Sequence, residues 1–165
     1  MDPSVGLRGG VRVAGLVVQP SVDDGSAAEV LFTIPGRRGG LVAFDSRTGD
    51  RVWESDVSRW TDPLVLDGRL IAAVGPELRA VDDRTGELLW QVRVAAIDNP
   101  KQVLTDGLVV FVHAVDPRHG AVLRAFDPAD GRERWNVRLP AGVRQFSVAR
   151  GRLLATTDRD VVALG

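Results

Sequence analysis

The sequence predicts an all-β fold: a β-propeller of four-stranded antiparallel blades, about four in number, with the last incomplete. Three observations carry the prediction. One motif recurs three times without gaps and begins a fourth time. Short apolar runs joined by x-Gly turns precede each copy. No segment sustains a 3.6-residue apolar period, so almost no helix is expected.

The first copy is Ala43-Phe44-Asp45-Ser46-Arg47-Thr48-Gly49-Asp50-Arg51-Val52-Trp53. The second is Ala80-Val81-Asp82-Asp83-Arg84-Thr85-Gly86-Glu87-Leu88-Leu89-Trp90. The third is Ala125-Phe126-Asp127-Pro128-Ala129-Asp130-Gly131-Arg132-Glu133-Arg134-Trp135, with Asp130 where the others have Thr. A fourth begins at Val161-Val162-Ala163-Leu164. Ala43, Ala80, Ala125 and Ala163 stand 37, 45 and 38 positions apart. That is close to the roughly 40–45 residues of a four-stranded blade.

Each motif position has a physical task. Ala43, Ala80 and Ala125 lie in short strands and put a small side chain against a crowded neighbour. Asp45, Asp82 and Asp127 open the following turn, where a carboxylate accepts backbone N–H groups. Gly49, Gly86 and Gly131 stand where a tight turn needs positive φ. Trp53, Trp90 and Trp135 recur at one offset on the next strand and so face the same way in each blade.

Two strand signals precede each motif. They are Val11 to Pro20 and Val30 to Ile34; then Leu64 to Leu66 and Leu70 to Val74, joined by Asp67-Gly68. The third pair is Val103-Leu104 and Leu108 to Val115, joined by Asp106-Gly107. The fourth is Phe146 to Ala149 and Leu153 to Ala155, joined by Arg150-Gly151. The expected organisation is an N-terminal extension over 1–10 and blades at approximately 11–57, 58–94, 95–139 and 140–165.

Composition narrows the function classes. A net charge of −1 gives no global electrostatic case for nucleic acid or an anionic membrane. No apolar stretch approaches the roughly 20 residues that span a bilayer, so direct membrane insertion is not expected. The first residues lack a basic region followed by an apolar one, so they do not read as a signal peptide. Cysteine is absent, which removes disulfides, thiolate nucleophiles and Cys-based metal sites.

The motif resembles the PQQ-like, or quinoprotein-like, propeller repeat with its tryptophan docking motif, over residues 11–165. The resemblance implies that each Trp packs against the Ala and Gly region of the adjacent blade. The structural docking set is then Ala43, Asp45, Gly49 and Trp53; Ala80, Asp82, Gly86 and Trp90; and Ala125, Asp127, Gly131 and Trp135. Closed discs of this family have seven or eight blades, of which this chain supplies about half. Three arrangements stay open: part of a longer protein, two chains closing one eight-bladed disc, or an open or four-bladed unit whose N-terminal residues fill the missing strand.

The resemblance also frames the chemistry. Quinoprotein dehydrogenases bind PQQ and calcium at the centre of a complete eight-bladed disc, many with a vicinal cysteine disulfide. This sequence has no cysteine, and none of their site residues maps onto it with a matching motif. Neither PQQ nor calcium is therefore expected, and no catalytic or metal-binding residue is assigned. Val22-Asp23-Asp24-Gly25-Ser26 resembles part of a calcium loop but lacks the alternating ligands and the terminal Glu. His113, His119 and Asp116 fall on one hairpin, and an ordinary strand and loop pair is expected there rather than a metal site.

The expected function is a non-catalytic scaffold for protein interaction or ligand sensing. The alternative is part of a PQQ-dependent dehydrogenase. Non-catalytic relatives include the propeller lipoprotein of the outer-membrane barrel assembly machine and sensor domains of bacterial Ser/Thr kinases, so an extracytoplasmic location is favoured. The candidate partner surface lies in links and loops at Arg37, Arg38, Arg59, Trp60, Asn99, Lys101, Arg118 and His119. Trp60, outside the repeat, is read either as an exposed interface anchor or as a cover over the core at a blade junction.

Overall fold

A computed structural model describes residues 12–36, 40–58, 60–61, 63–94, 103–116, 120–139, 142–143, 145–150 and 152–164. These residues form sixteen strands and no α-helix. The first sheet contains β1 (Leu16–Val17), β3 (Val30–Ile34), β4 (Gly40–Asp45) and β5 (Arg51–Ser58), in that order. The second has the order β2 (Val22–Asp23), β6 (Leu64–Leu66), β7 (Arg69–Val74), β8 (Glu77–Asp82) and β9 (Leu88–Arg93). The third contains β10 (Val103–Thr105), β11 (Val110–Asp116), β12 (Gly120–Phe126) and β13 (Glu133–Arg138). The fourth contains β14 (Gln145–Ala149), β15 (Arg152–Thr156) and β16 (Val161–Leu164). All pairings are antiparallel except β2 with β6.

The sheets pack face to face, and the core is three layers between them. Phe32, Leu41, Ala43 and Trp53 of the first sheet meet Val65, Leu70, Ala72 and Val74 of the second. Leu64, Ile71, Ala73, Leu78 and Trp90 meet Val103, Val110, Val112 and Phe126 of the third. Phe111, Leu123, Ala125 and Leu139 meet Phe146, Leu153 and Ala155 of the fourth. Strand β7 explains how one sheet serves two layers. Its alternate residues Leu70, Ala72 and Val74 face one neighbour, while Ile71 and Ala73 face the other.

The motif spacing has a backbone cause. Ala43, Ala80 and Ala125 lie opposite Trp53, Trp90 and Trp135 in the antiparallel ladder. In each sheet the register shifts directly after that alanine, so Phe44 pairs Arg51, Val81 pairs Leu88 and Phe126 pairs Glu133. One residue per copy, Val52, Leu89 or Arg134, is the extra residue of a β-bulge. A bulge inserts one residue and adds local twist, which is why three residues separate the Gly from the Trp.

Two features depart from the sequence reading. The first blade's inner strand is only the two residues of β1, and Val22–Asp23 leaves that sheet to pair in parallel with β6 of the second. The two Asp-Gly turns also differ. Asp67 and Gly68 both have positive φ, at 51° and 72°, as a two-residue hairpin matched to strand twist requires. At Asp106 the carboxylate accepts the N–H groups of Leu108 (2.9 Å) and Val109 (3.0 Å), which holds a wider loop open.

Candidate functional site

The three repeated turns are built alike. Asp45 Oδ1 accepts the backbone N–H groups of Arg47 (2.8 Å) and Thr48 (2.9 Å). Asp82 Oδ1 accepts those of Arg84 (3.0 Å) and Thr85 (2.8 Å), and Asp127 Oδ1 accepts that of Ala129 (2.8 Å). Gly49, Gly86 and Gly131 each donate N–H to the carbonyl of the opening Asp at 2.9 Å, with φ of 78°, 73° and 70°. Thr48 and Thr85 hydroxyls accept the N–H two residues on, and in the third copy the carboxylate of Asp130 does the same for Arg132 (2.9 Å). The Thr-to-Asp change therefore preserves the bond.

These bonds set the acidity of the aspartates. The N–H groups of Thr48 and Arg47 hold the Asp45 carboxyl below the usual carboxylate range. The N–H of Ala129 and the Arg134 guanidinium do the same for Asp127. At Asp82, burial opposes the shift, and the turn N–H groups of Thr85 and Arg84 with the Thr85 hydroxyl outweigh it, so its pKa is also lowered. The aspartates are thus occupied by their own turns and stay ionised there.

The tryptophans show what the turns are for. Trp53 donates its indole N–H to the carbonyl of Asp83 (3.0 Å), and Trp90 donates to that of Pro128 (3.0 Å). Each indole lies on the glycine of the receiving turn. A Cβ at Gly86 would stand 2.6 Å from Trp53 Cδ2, and one at Gly131 would stand 2.5 Å from Trp90 Cε3. Only glycine permits both the left-handed backbone and this approach. Trp53 and Trp90 are each 8% exposed. Trp135 packs beside Phe111, with ring centroids 5.7 Å apart, but is 41% exposed.

Asp83 was not singled out by the sequence. Its side chain is 1% exposed, and its Oδ2 has no hydrogen-bond partner. The Arg84 guanidinium comes only to 4.0 Å of Oδ1. Burial, then the neighbouring charge of Asp82, pushes the Asp83 carboxyl up from its ordinary value. The burial follows from the task of its backbone, whose carbonyl receives Trp53 and whose N–H bonds to Gly68 (3.1 Å). No periodicity signals such a position.

The partner surface is only partly in view. Arg37, Arg38, Arg59, Asn99, Lys101, Arg118 and His119 lie outside the described residues. Trp60 corrects the exposed-anchor reading, because it is 8% exposed and belongs to the core between the first two sheets. Its indole N–H is spent on the carbonyl of Val57 (2.8 Å), and its backbone bridges to Val74. It covers the blade junction. His113 packs against Phe146, with ring centroids 5.5 Å apart, at the junction of the third and fourth sheets. The Val22–Ser26 segment is a clamp: Asp24 Oδ2 accepts the N–H of Asp67 (2.6 Å), and Ser26 Oγ accepts that of Gly68 (2.9 Å).

Two concavities flank β1. One of about 360 Å³ is lined by Val17, Val18, Pro20, Val30, Leu31 and Phe32 among others. The other, of about 480 Å³, is lined by Leu16, Val17, Ile34, Trp60 and Pro63 among others. Both linings are mainly apolar. Among the described residues no group of three or more His, Asp or Glu side chains could hold a metal ion. Among the described residues no helix is long and apolar enough to cross a membrane.

The chain has relatives among known proteins. The family described as outer membrane protein assembly factor BamB matches residues 12–163. The chain belongs to this family. Outer membrane protein assembly factor BamB of Moranella endobia is 30% identical to it over 122 residues, which is 66% of this chain and 30% of that protein. The crystal structure of BamB from Moraxella catarrhalis superposes with a TM-score of 0.58 at 20% identity, covering 82% of this chain and 42% of that one. A quinohemoprotein alcohol dehydrogenase of Pseudomonas putida gives 0.54 at 20% identity, covering 81% and 21%. The two solved structures show the propeller fold alone. This BamB-family chain spans about a third of the length of the curated relative it matches.

Proposed function

We propose that the chain is a non-catalytic, protein-binding propeller module serving outer membrane protein assembly from an extracytoplasmic position, with neither PQQ nor calcium as cofactor. The family match over residues 12–163 carries this reading. The occupation of the repeat's polar residues supports it. Asp45, Asp82 and Asp127 cap turns, and Trp53 and Trp90 hold blades together. A rigid disc segment with its chemistry spent on architecture has surface left to offer, and sites grafted on such folds set the function.

The test is genetic and biochemical. Removing the coding segment from its host is expected to lower the amount of folded β-barrel proteins in the outer membrane, and restoring it should bring them back. Unchanged barrel levels would overturn the reading. The purified chain is separately expected to show no dye reduction with PQQ, calcium and an alcohol, and stoichiometric PQQ binding with turnover would overturn the non-catalytic part.

A further inference from the structure

The sheets differ at their leading edges. Among the described residues β1, β10 and β14 each end their sheets, whereas β6 carries β2 on that edge. The added strand belongs to the loop between β1 and β3 of the first sheet, which crosses to its neighbour as a strap over residues 19–29. Its attachments are few. Val22 and Asp23 pair in parallel with Leu64 and Val65. Ser21 donates its N–H to the Pro63 carbonyl (2.9 Å), and Asp24 donates its own to that of Val65 (3.3 Å). The side chains of Asp24 and Ser26 accept the N–H groups of Asp67 and Gly68 in the turn that follows β6.

The strap is lightly held over a strand that is not. Leu64, Val65 and Leu66 of β6 are all buried. Within the strap only Ala27 is buried, and Val22 packs part-buried against the core. A space of about 360 Å³ lies between the strap and β3, lined by Gln19, Pro20 and Asp23 on one side and Val30, Leu31 and Phe32 on the other. The charges of Asp23 and Asp24 also act against that of the buried Asp83. A segment with so little buried apolar surface opens locally, well below the cost of global unfolding. Its opening leaves β6 with an unpaired edge, whose N–H and C=O groups are a template for an extended chain.

We propose that the β6 edge binds an extended strand of a partner protein, and that the strap occupies this edge as an internal stand-in. The strap's own bonds define the partner. Its strand runs parallel to β6 and sets a β-branched apolar residue where Val22 stands. Two residues on, a carboxylate takes the N–H of Asp67, and a hydroxyl two residues further takes that of Gly68. The site rests on the protein-binding reading but not on outer membrane assembly, so peptide binding and barrel levels fail or hold separately.

The probe is a fluorescein-labelled peptide with the sequence of Gln19 to Glu29, titrated into the full chain up to millimolar concentration and read by anisotropy. Three forms of the chain are compared. In the wild type the strap competes with the peptide. Val22→Gly with Asp24→Ala loosens the strap. Val22→Cys with Leu64→Cys, at directly paired positions of a sequence that has no cysteine, locks it by a disulfide. The loosened chain should bind the peptide saturably and at least about tenfold more tightly than the wild type, since its edge is open for more of the time. The oxidised locked chain should not bind, and reduction should restore binding. Hydrogen exchange on the wild type reads the strap directly: the Ser21, Asp24 and Gly68 amides should exchange faster than those of β7. Urea melting verifies that the loosened chain is folded; if it is not, the locked chain and the exchange rates decide. No binding to the folded loosened chain, equal binding to the locked chain, or strap amides that exchange only by global unfolding would each overturn the proposal.

Discussion

Replacing Gly86 with alanine tests whether the indole of Trp53 dictates the turn of the neighbouring blade. Two costs are expected. The backbone sits at φ +73°, where an L side chain loses about 1–2 kcal/mol relative to glycine. The new methyl would also stand 2.6–2.9 Å from three ring atoms of Trp53. That ring is buried and tethered by its bond to the Asp83 carbonyl, so it yields only by disturbing the junction, at about 1–3 kcal/mol. The sum is about 2–5 kcal/mol. Gly68 is the internal reference, since it has φ +72° but no heavy atom within 4 Å of its would-be Cβ. Gly68→Ala should cost only the backbone part, about 1–2 kcal/mol. In a Trp53→Ala background the cost of Gly86→Ala should fall to that same value, giving a coupling of about 1–3 kcal/mol. Urea melts at 25 °C, fitted with a shared slope, provide the five stabilities. If Gly86→Ala costs no more than Gly68→Ala, or if the cost survives removal of Trp53, ring contact is not what requires the glycine.

Other perturbations separate the copies. Trp53→Ala should cost about 3–5 kcal/mol as a buried aromatic truncation, and Trp135→Ala clearly less because that ring is part-exposed, both read by urea melting. Asp130→Thr should change stability by less than about 0.5 kcal/mol, since a hydroxyl makes the same turn bond at Thr48 and Thr85; a loss above about 1 kcal/mol would show that the third turn needs the carboxylate. Asp83 gives a pH signature. Its carboxyl is raised by burial, so the folded state binds its proton at a higher pH than the unfolded chain. The penalty of its charge is full at neutral pH and is relieved as pH falls through the folded pKa toward the ordinary value of 3.8. Asp45 and Asp127 act oppositely: their lowered pKa values contribute stability that is present above the ordinary carboxylate value and lost as pH falls through the folded one. Wild type should therefore gain stability relative to Asp83→Asn as pH is lowered from 7 toward 4, measured by melts at each pH. A difference independent of pH would exclude a raised pKa.

Much of this architecture was legible because the repeat is a packing code. Positive φ at Gly49, Gly86 and Gly131, carboxylate caps at the three aspartates, and paired Ala and Trp all follow from residue type and spacing. What escaped is set by tertiary context. A two-residue parallel strand such as β2 has no period to detect. Trp60 lies outside the repeat, so its offset says nothing about which way it faces. Trp53, Trp90 and Trp135 share one motif, yet only the first two are covered, because covering depends on a turn from the next sheet. Asp83 occupies an ordinary turn position, and its burial comes from the indole docked on its carbonyl.

The clamp at Val22–Ser26 has a consequence for how the chain is made. Val22 pairs with Leu64, and Ser26 bonds to Gly68 across 42 positions of sequence. On a ribosome adding about 5–20 residues per second, the first partner emerges roughly 2–8 seconds before the second. Through that interval Val22 and Asp23 have no ladder to join. The second blade's hairpin must therefore capture a segment that left the ribosome first. Slowing translation between these two segments should lengthen the time for which the nascent chain invites a holdase chaperone.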